Sequence, residues 1–303
     1  MRGPHSGSVT PAAWGPVYVP GDSLLARRLR IEQARYRAEV LQLPTWGSTP
    51  QGRPLGSILD AEAAAAGYNF TSATAQSLYM ERKTLGWGVD PTRITTNMTS
   101  SQALLFNLFG EFGGDMEWAV RATNLWLGRT DAQSVKAIHL EYAPRRLSTY
   151  LNDHTIVDAL VEVESEAGPE LIAFELKFAD RFSSRRVPFD RNPRYQELAR
   201  TRAPWRAPLN RLVTPQLNQL TRVHALTERS AEVLHPDKDV RCTLLVACHP
   251  DDVSAGSHVE SYRGTLSRSD SVHLVTLDAL INAMESSGPS SSSVQQLRAR
   301  YLP

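Results

Sequence analysis

The sequence predicts an α/β fold: a mixed central sheet flanked by helices and preceded by a helical extension. Three observations carry this reading. SSQALLFNLFGEF and DMEWAVRATNLWLG, from residue 100 onward, repeat apolar residues at i, i+3 and i+4, the spacing of one helix face. VKAIHLEYAP, HTIVDALVEVE and LIAFELKF follow as strand-like runs. TPQLNQLTRVHALTER then returns to the helical period and leads into VRCTLLVACH, an apolar run typical of a buried strand. The order is helix, three strands, helix, strand.

The elements before and after this block are plainer. Residues 1–21 are rich in Gly, Pro and Ser and are expected to form a flexible tail. Asp22 or Ser23 can cap a helix running to about Gln42, in which Leu25, Leu29, Ala34, Val40 and Leu41 lie beneath a basic face. ILDAEAAAAGYNF and SATAQSLYMERKTLGWG add short helical pieces, so residues 22–99 form the extension and residues 100–285 the main domain. TLDALINAM is a further short helix. Residues 286–303 are a Ser-rich linker and C-terminal tail, whose VQQLRARYLP either docks as a short helix or stays free. No internal repeat is present.

Composition excludes several classes of protein. With 303 residues, 41% hydrophobic and 21% charged, the chain is ordinary globular material, neither disordered nor fibrous. It has no apolar run of about 18 residues, the length needed to span a bilayer, and its first residues lack a signal-peptide core. A soluble, cytoplasmic protein is expected. Cys242 and Cys248 share one strand-like segment, roughly 20 Å apart if extended at about 3.3 Å per residue, so they cannot pair there. Neither has a partner at zinc-ligand spacing, and His249 reads as a structural strand-end residue. The net charge of +1 hides arginine concentrated in LARRLRIEQARYR and in RFSSRRVPFDRNPRYQELARTRAPWR.

The chemically informative stretch is LIAFELKF. Strand alternation puts Ile172, Phe174, Leu176 and Phe178 on one face and Ala173, Glu175 and Lys177 on the other. A half-solvated strand would show the same letters, because E-x-K alone is a weak pattern. Context separates the two readings. ESEAGPE, before this run, carries hairpin-turn punctuation. A turn centred between Ala167 and Gly168 would set Asp158 opposite Lys177 and diagonal to Glu175, all on one sheet face. Two carboxylates and an ammonium in a partly buried place cost several kcal/mol unless compensated. A divalent cation between Asp158 and Glu175 would compensate them. Hard oxygen ligands suit Mg²⁺, with Lys177 beside a metal-bound water.

This arrangement resembles the PD-(D/E)XK nuclease superfamily, whose restriction-endonuclease-like core runs helix, three strands, helix, strand, with the Asp on the second strand and E-x-K on the third. The resemblance covers about residues 100–250: Asp158 lies in TIVDALVEV and Glu175-Leu176-Lys177 in LIAFELKF. SSQALLFNLFGEF, HLEYAPRR and FELKFAD are together similar to a group of bacterial proteins described as restriction-type endonucleases. Val157 stands where the superfamily motif has Pro, a mild departure.

Carried onto these residues, the resemblance implies that Asp158 and Glu175 ligate Mg²⁺, which Mn²⁺ can replace, with the Leu176 carbonyl as a further ligand. Lys177 would assist the attacking water in breaking a phosphodiester. A further acid is common, and of Glu117 and Glu141 the latter is favoured because it ends the neighbouring strand. Gln216 and Gln219 lie on the helix where a glutamine often meets the site; a plain surface role is the competing reading. The segment from Arg181 to Arg211, interleaved with Phe182, Phe189, Tyr195 and Trp205, suits phosphate contacts, or is a solvated basic loop.

The expected function is a metal-dependent DNA endonuclease of defence or mobile-element control. Double-stranded DNA is the expected partner. The resemblance also implies a homodimer, because double-strand cutters of that superfamily often work as dimers with one site per strand, and the extension would serve either dimer contact or DNA recognition. A non-cleaving nucleic-acid-binding or regulatory protein on the same fold is the alternative. The intact acids and lysine count against it. G-x-S-x-G, Walker A, H-E-x-x-H and complete G-x-G-x-x-G motifs are all absent.

Overall fold

The computed structural model describes residues 12–180, 182, 183, 185–289 and 291–303. The expected tail therefore lies outside the described residues as far as residue 11, as do Arg181, which opens the Arg-rich segment, and Ser290 of the Ser-rich linker.

The front section is helical. Helix α1 (Leu24–Arg35) starts where the Ser23 hydroxyl accepts from the Ala26 amide, and it continues as a π-helical turn over Tyr36–Val40. Helices α2 (Ala61–Ala65), α3 (Ala73–Lys83) and α4 (Pro91–Thr96) follow, each capped by a side chain, Asp60, Ser72 and Asp90 in turn. Helices α5 (Ser101–Gly110) and α6 (Met116–Leu127) then lead into the strands. The α4 turn escaped the sequence reading because PTRITT has no apolar period to reveal it; Pro91 at its first turn and the Asp90 cap are its signals.

Five strands form one mixed sheet in chain order: β1 (Ala132–Tyr142), β2 (Val157–Ser165), β3 (Gly168–Lys177), β4 (Arg241–Cys248) and β5 (Val272–Thr276). The first three pair antiparallel and the last two join in parallel. Between β3 and β4 run α7 (Pro193–Thr201) and the long α8 (Pro215–Leu234), so the Arg-rich segment is partly helical. Helix α9 (Val253–Arg263) separates β4 from β5, and α10 (Leu277–Ser287) and α11 (Ser292–Tyr301) complete the chain. β5 was not expected: VHLVT is only five residues long and merges with the helix after it.

The expected register slips by two residues. The β2–β3 hairpin turns through Glu166 and Ala167, pairing Ser165 with Gly168 at φ 110° and Ala159 with Phe174. One further step along this ladder sets Asp158 opposite Glu175 rather than Lys177. An even slip preserves the face of every side chain, so the predicted grouping of Asp158, Glu175 and Lys177 survives.

Both sheet faces are buried. Ile172, Phe174, Leu176 and Phe178 enter a cluster with α5, α6, α10 and α11, where Phe174 meets the Phe109 and Trp126 rings edge-on at 5.1 and 5.4 Å. Leu171 and Ala173 face the other cluster, beneath α7 and α8. Leu29, Tyr79 and Ile94 of the front helices belong to the same cluster as Phe106 and Phe178. Of the two options for the terminal segment, docking is observed: Val294, Leu297, Arg300 and Tyr301 of α11 are buried. No helix among the described residues is long and apolar enough to cross a membrane. Cys242 and Cys248 are buried and unpaired.

Candidate functional site

On the α8 side of the sheet, at the end where β1 stops and β2 starts, a cleft of about 400 Å³ holds Glu141, Asp158, Glu175 and Lys177. Three adjacent strands supply its acids. Tyr142 pairs with Val157 and Leu140 with Ala159, so Glu141 stands beside Asp158, which in turn stands beside Glu175. These are the residues singled out in the sequence, brought together by two antiparallel ladders.

Glu175 is only 2% exposed, although β3 reads as alternating. Its Oε1 receives the Lys177 ammonium at 2.6 Å and the side-chain amide of Gln219 from α8. The Gln219 Oε1 accepts from the Ser183 amide, which fixes which end of the amide faces the carboxylate. Lys177 also lies over the Phe182 ring at 5.2 Å. Burial alone would lower the Lys177 pKa; Glu175 and Asp158 outweigh it and raise it, so the group stays an ammonium. Asp158 Oδ2 accepts from the Leu176 amide at 2.6 Å. Burial, then the neighbouring Glu175 and Glu141 charges, hold its carboxyl well above the usual range.

Glu141 sits at φ 48°, a left-handed conformation that costs a non-glycine residue of order 1 kcal/mol or more. Arg82 of α3 pins this kink by donating to the carbonyls of Leu140 at 2.7 Å and Glu141 at 2.5 Å. The kink breaks strand alternation, and Leu140 and Glu141 are both buried. Burial pushes the Glu141 carboxyl up to about 8, partly opposed by Gln102 and Arg82 and reinforced by Glu175. Its Oε1 is buried with no hydrogen-bond partner.

The other expectations divide. Gln219 enters the cleft, whereas Gln216 lines a separate groove beside Phe178 and Val253. Glu117 is exposed in the first turn of α6 and does not line the cleft. Of the Arg-rich segment, Arg185 reaches the cleft, while Phe189, Tyr195 and Trp205 are buried in the core beneath α7 and α8. Their packing role explains the aromatic interleaving.

Sequence reading missed Asp180, Arg93 and Arg222. Asp180 accepts from the Ser101 hydroxyl at 2.8 Å and pairs with Arg93 at 2.6 Å, joining the starts of α4 and α5 to the chain just past Lys177. Its position three residues beyond the lysine was the available signal. Arg222 lies three residues after Gln219, hence on the same face of α8.

The donor set suits a hard divalent cation: crowded carboxylates, two with raised pKa, and an orphaned buried carboxylate oxygen. Among the described residues no group of three or more His, Cys, Asp or Glu side chains makes a ready metal cage. A family model described as the PD-(D/E)XK nuclease superfamily matches residues 20–303. No curated protein and no solved structure is matched.

Proposed function

This chain belongs to the PD-(D/E)XK nuclease superfamily, and on that premise we propose that it is a Mg²⁺-dependent endonuclease hydrolysing phosphodiester bonds of double-stranded DNA, with Mn²⁺ able to replace Mg²⁺. The observation that carries the reading is the convergence of Glu141, Asp158, Glu175 and Lys177, from three adjacent strands, on one cleft. Asp158 and Glu175 hold the ion. When bound, it neutralises charge on the reacting phosphate and lowers the pKa of a water.

The chain's own groups do the rest. The Lys177 ammonium, fixed by Glu175, orients the attacking water and stabilises negative charge developing on the phosphate oxygens. Gln219 holds the other side of Glu175, so the carboxylate keeps one orientation. Glu141, its carboxyl pushed up to about 8 by burial, carries a proton near neutral pH and is a reserve proton donor beside Asp158. A cytoplasmic role in defence or mobile-element control, exercised as a homodimer in which each site cuts one strand, completes the reading.

Cleavage of supercoiled plasmid with Mg²⁺ or Mn²⁺, comparing wild type, Asp158→Ala, Lys177→Ala and an EDTA control, tests it. Metal-dependent nicking or linearisation absent from both variants is expected. Intact plasmid with the wild type, or equal cutting by the variants, would leave a fold relative that binds without cleaving.

A further inference from the structure

Arg222 is 6% exposed and lines the catalytic cleft from α8. Its Nε is buried without a partner, and none of the hydrogen bonds or ion pairs among the described residues involves its guanidinium. The carboxylates whose charge it feels are engaged elsewhere. Asp153 accepts from the Thr155 amide at 2.8 Å and the Tyr195 hydroxyl at 2.6 Å, and Glu175 is taken up by Lys177 and Gln219. Arg185, which also lines the cleft, adds a second positive charge close enough to lower the Arg222 pKa further, after burial.

Burying the guanidinium Nε without a partner is costly, because its hydration is lost and nothing replaces it. Arginine presents a planar fork of donors matched to phosphate oxygens. Gln219 and Arg222 share a face of α8, and Gln219 reaches Glu175, so an anion on Arg222 would lie beside the carboxylates. We propose that Arg222, with Arg185 near it, forms an anion subsite that seats a backbone phosphate adjacent to the phosphodiester being cut. The inference rests on the nuclease reading for its ligand; the unpartnered Nε stands independently of it.

The test uses the full chain in EDTA with two probes, inorganic phosphate and a short DNA duplex, on wild type, Arg222→Met and Arg222→Lys. Three results are expected. Arg222→Met melts higher than wild type in phosphate-free buffer, because the uncompensated charge is gone. Inorganic phosphate raises the wild-type Tm and leaves that of Arg222→Met in place. Duplex affinity, read by anisotropy, falls about tenfold in Arg222→Met, and the slope of log K against log salt shrinks by about 0.9. Arg222→Lys lies between the two, and carries the comparison if Arg222→Met does not fold.

Wild-type phosphate response, duplex affinity and salt slope in Arg222→Met would overturn the subsite even where the wild type cuts DNA, leaving the nuclease reading standing. A phosphate response lost in Arg222→Met, in a protein that neither binds nor cuts the duplex, would keep the subsite and remove the nuclease reading.

Discussion

Gln219 donates its side-chain amide to Glu175 Oε1, the same oxygen that receives the Lys177 ammonium at 2.6 Å. A helix thus sets the angle at which a strand carboxylate faces the cleft. Gln219→Ala frees that carboxylate to rotate, and loss of such a supporting contact costs about 10–100-fold in metal affinity or activity. Calorimetric titration with Mn²⁺ alongside plasmid cleavage measures both; unchanged values in the variant would refute the supporting role.

Asp158 should trade stability for function. Its carboxyl is held above the usual range by burial and by Glu175 and Glu141, so the folded protein disfavours the ionised form. Asp158→Asn keeps an oxygen to accept from the Leu176 amide while removing the repulsion. At neutral pH it should stabilise the metal-free protein and abolish cleavage. Urea denaturation in EDTA reads the first effect.

Glu141 gives a pH signature. Its folded pKa of about 8 lies above the ordinary 4.5. Its contribution to stability is therefore fully present below about pH 4.5 and is lost as pH rises through 8, because the unfolded chain releases the proton first. Glu141→Gln removes that loss. The variant's Tm advantage over wild type, measured without metal, should be small near pH 5 and grow by pH 8.5; a constant advantage would contradict it.

Arg300 should matter to the fold rather than to chemistry. It is 1% exposed and donates from α11 to Gln33 Oε1 at 3.2 Å and to the Asn69 carbonyl at 2.8 Å, besides the Asn69 side chain. Arg300→Ala leaves buried acceptors unsatisfied and should destabilise by about 2–4 kcal/mol. Chemical denaturation measures this, and a loss below about 0.5 kcal/mol would show that the network is dispensable.

Much of the fold and the centre of the site were legible because strand alternation and helical period are local. Asp158, Glu175 and Lys177 fall on one face under any even slip of the hairpin, so the two-residue error in register did no harm. Glu141 was harder to place because its left-handed kink depends on Arg82, far away in the chain. Burial of Glu175 and Lys177 was invisible in a period-two pattern, since it comes from α8 crossing above them. Gln219 and Gln216 could not be separated without knowing which face of that helix meets the sheet. Likewise, the aromatic residues among the arginines read as a nucleic-acid surface until Phe189, Tyr195 and Trp205 were seen packed inside.

The docking of α11 bears on how the fold closes. Gln33 and Arg300 exchange hydrogen bonds between positions 267 residues apart, and the Tyr301 ring meets Phe178, next to Lys177, edge-on at 5.2 Å. Phe178 and α1 thus take part of their cover from residues 292–301, so local opening of that helix would loosen the front helices and the strand end that carries Lys177 together.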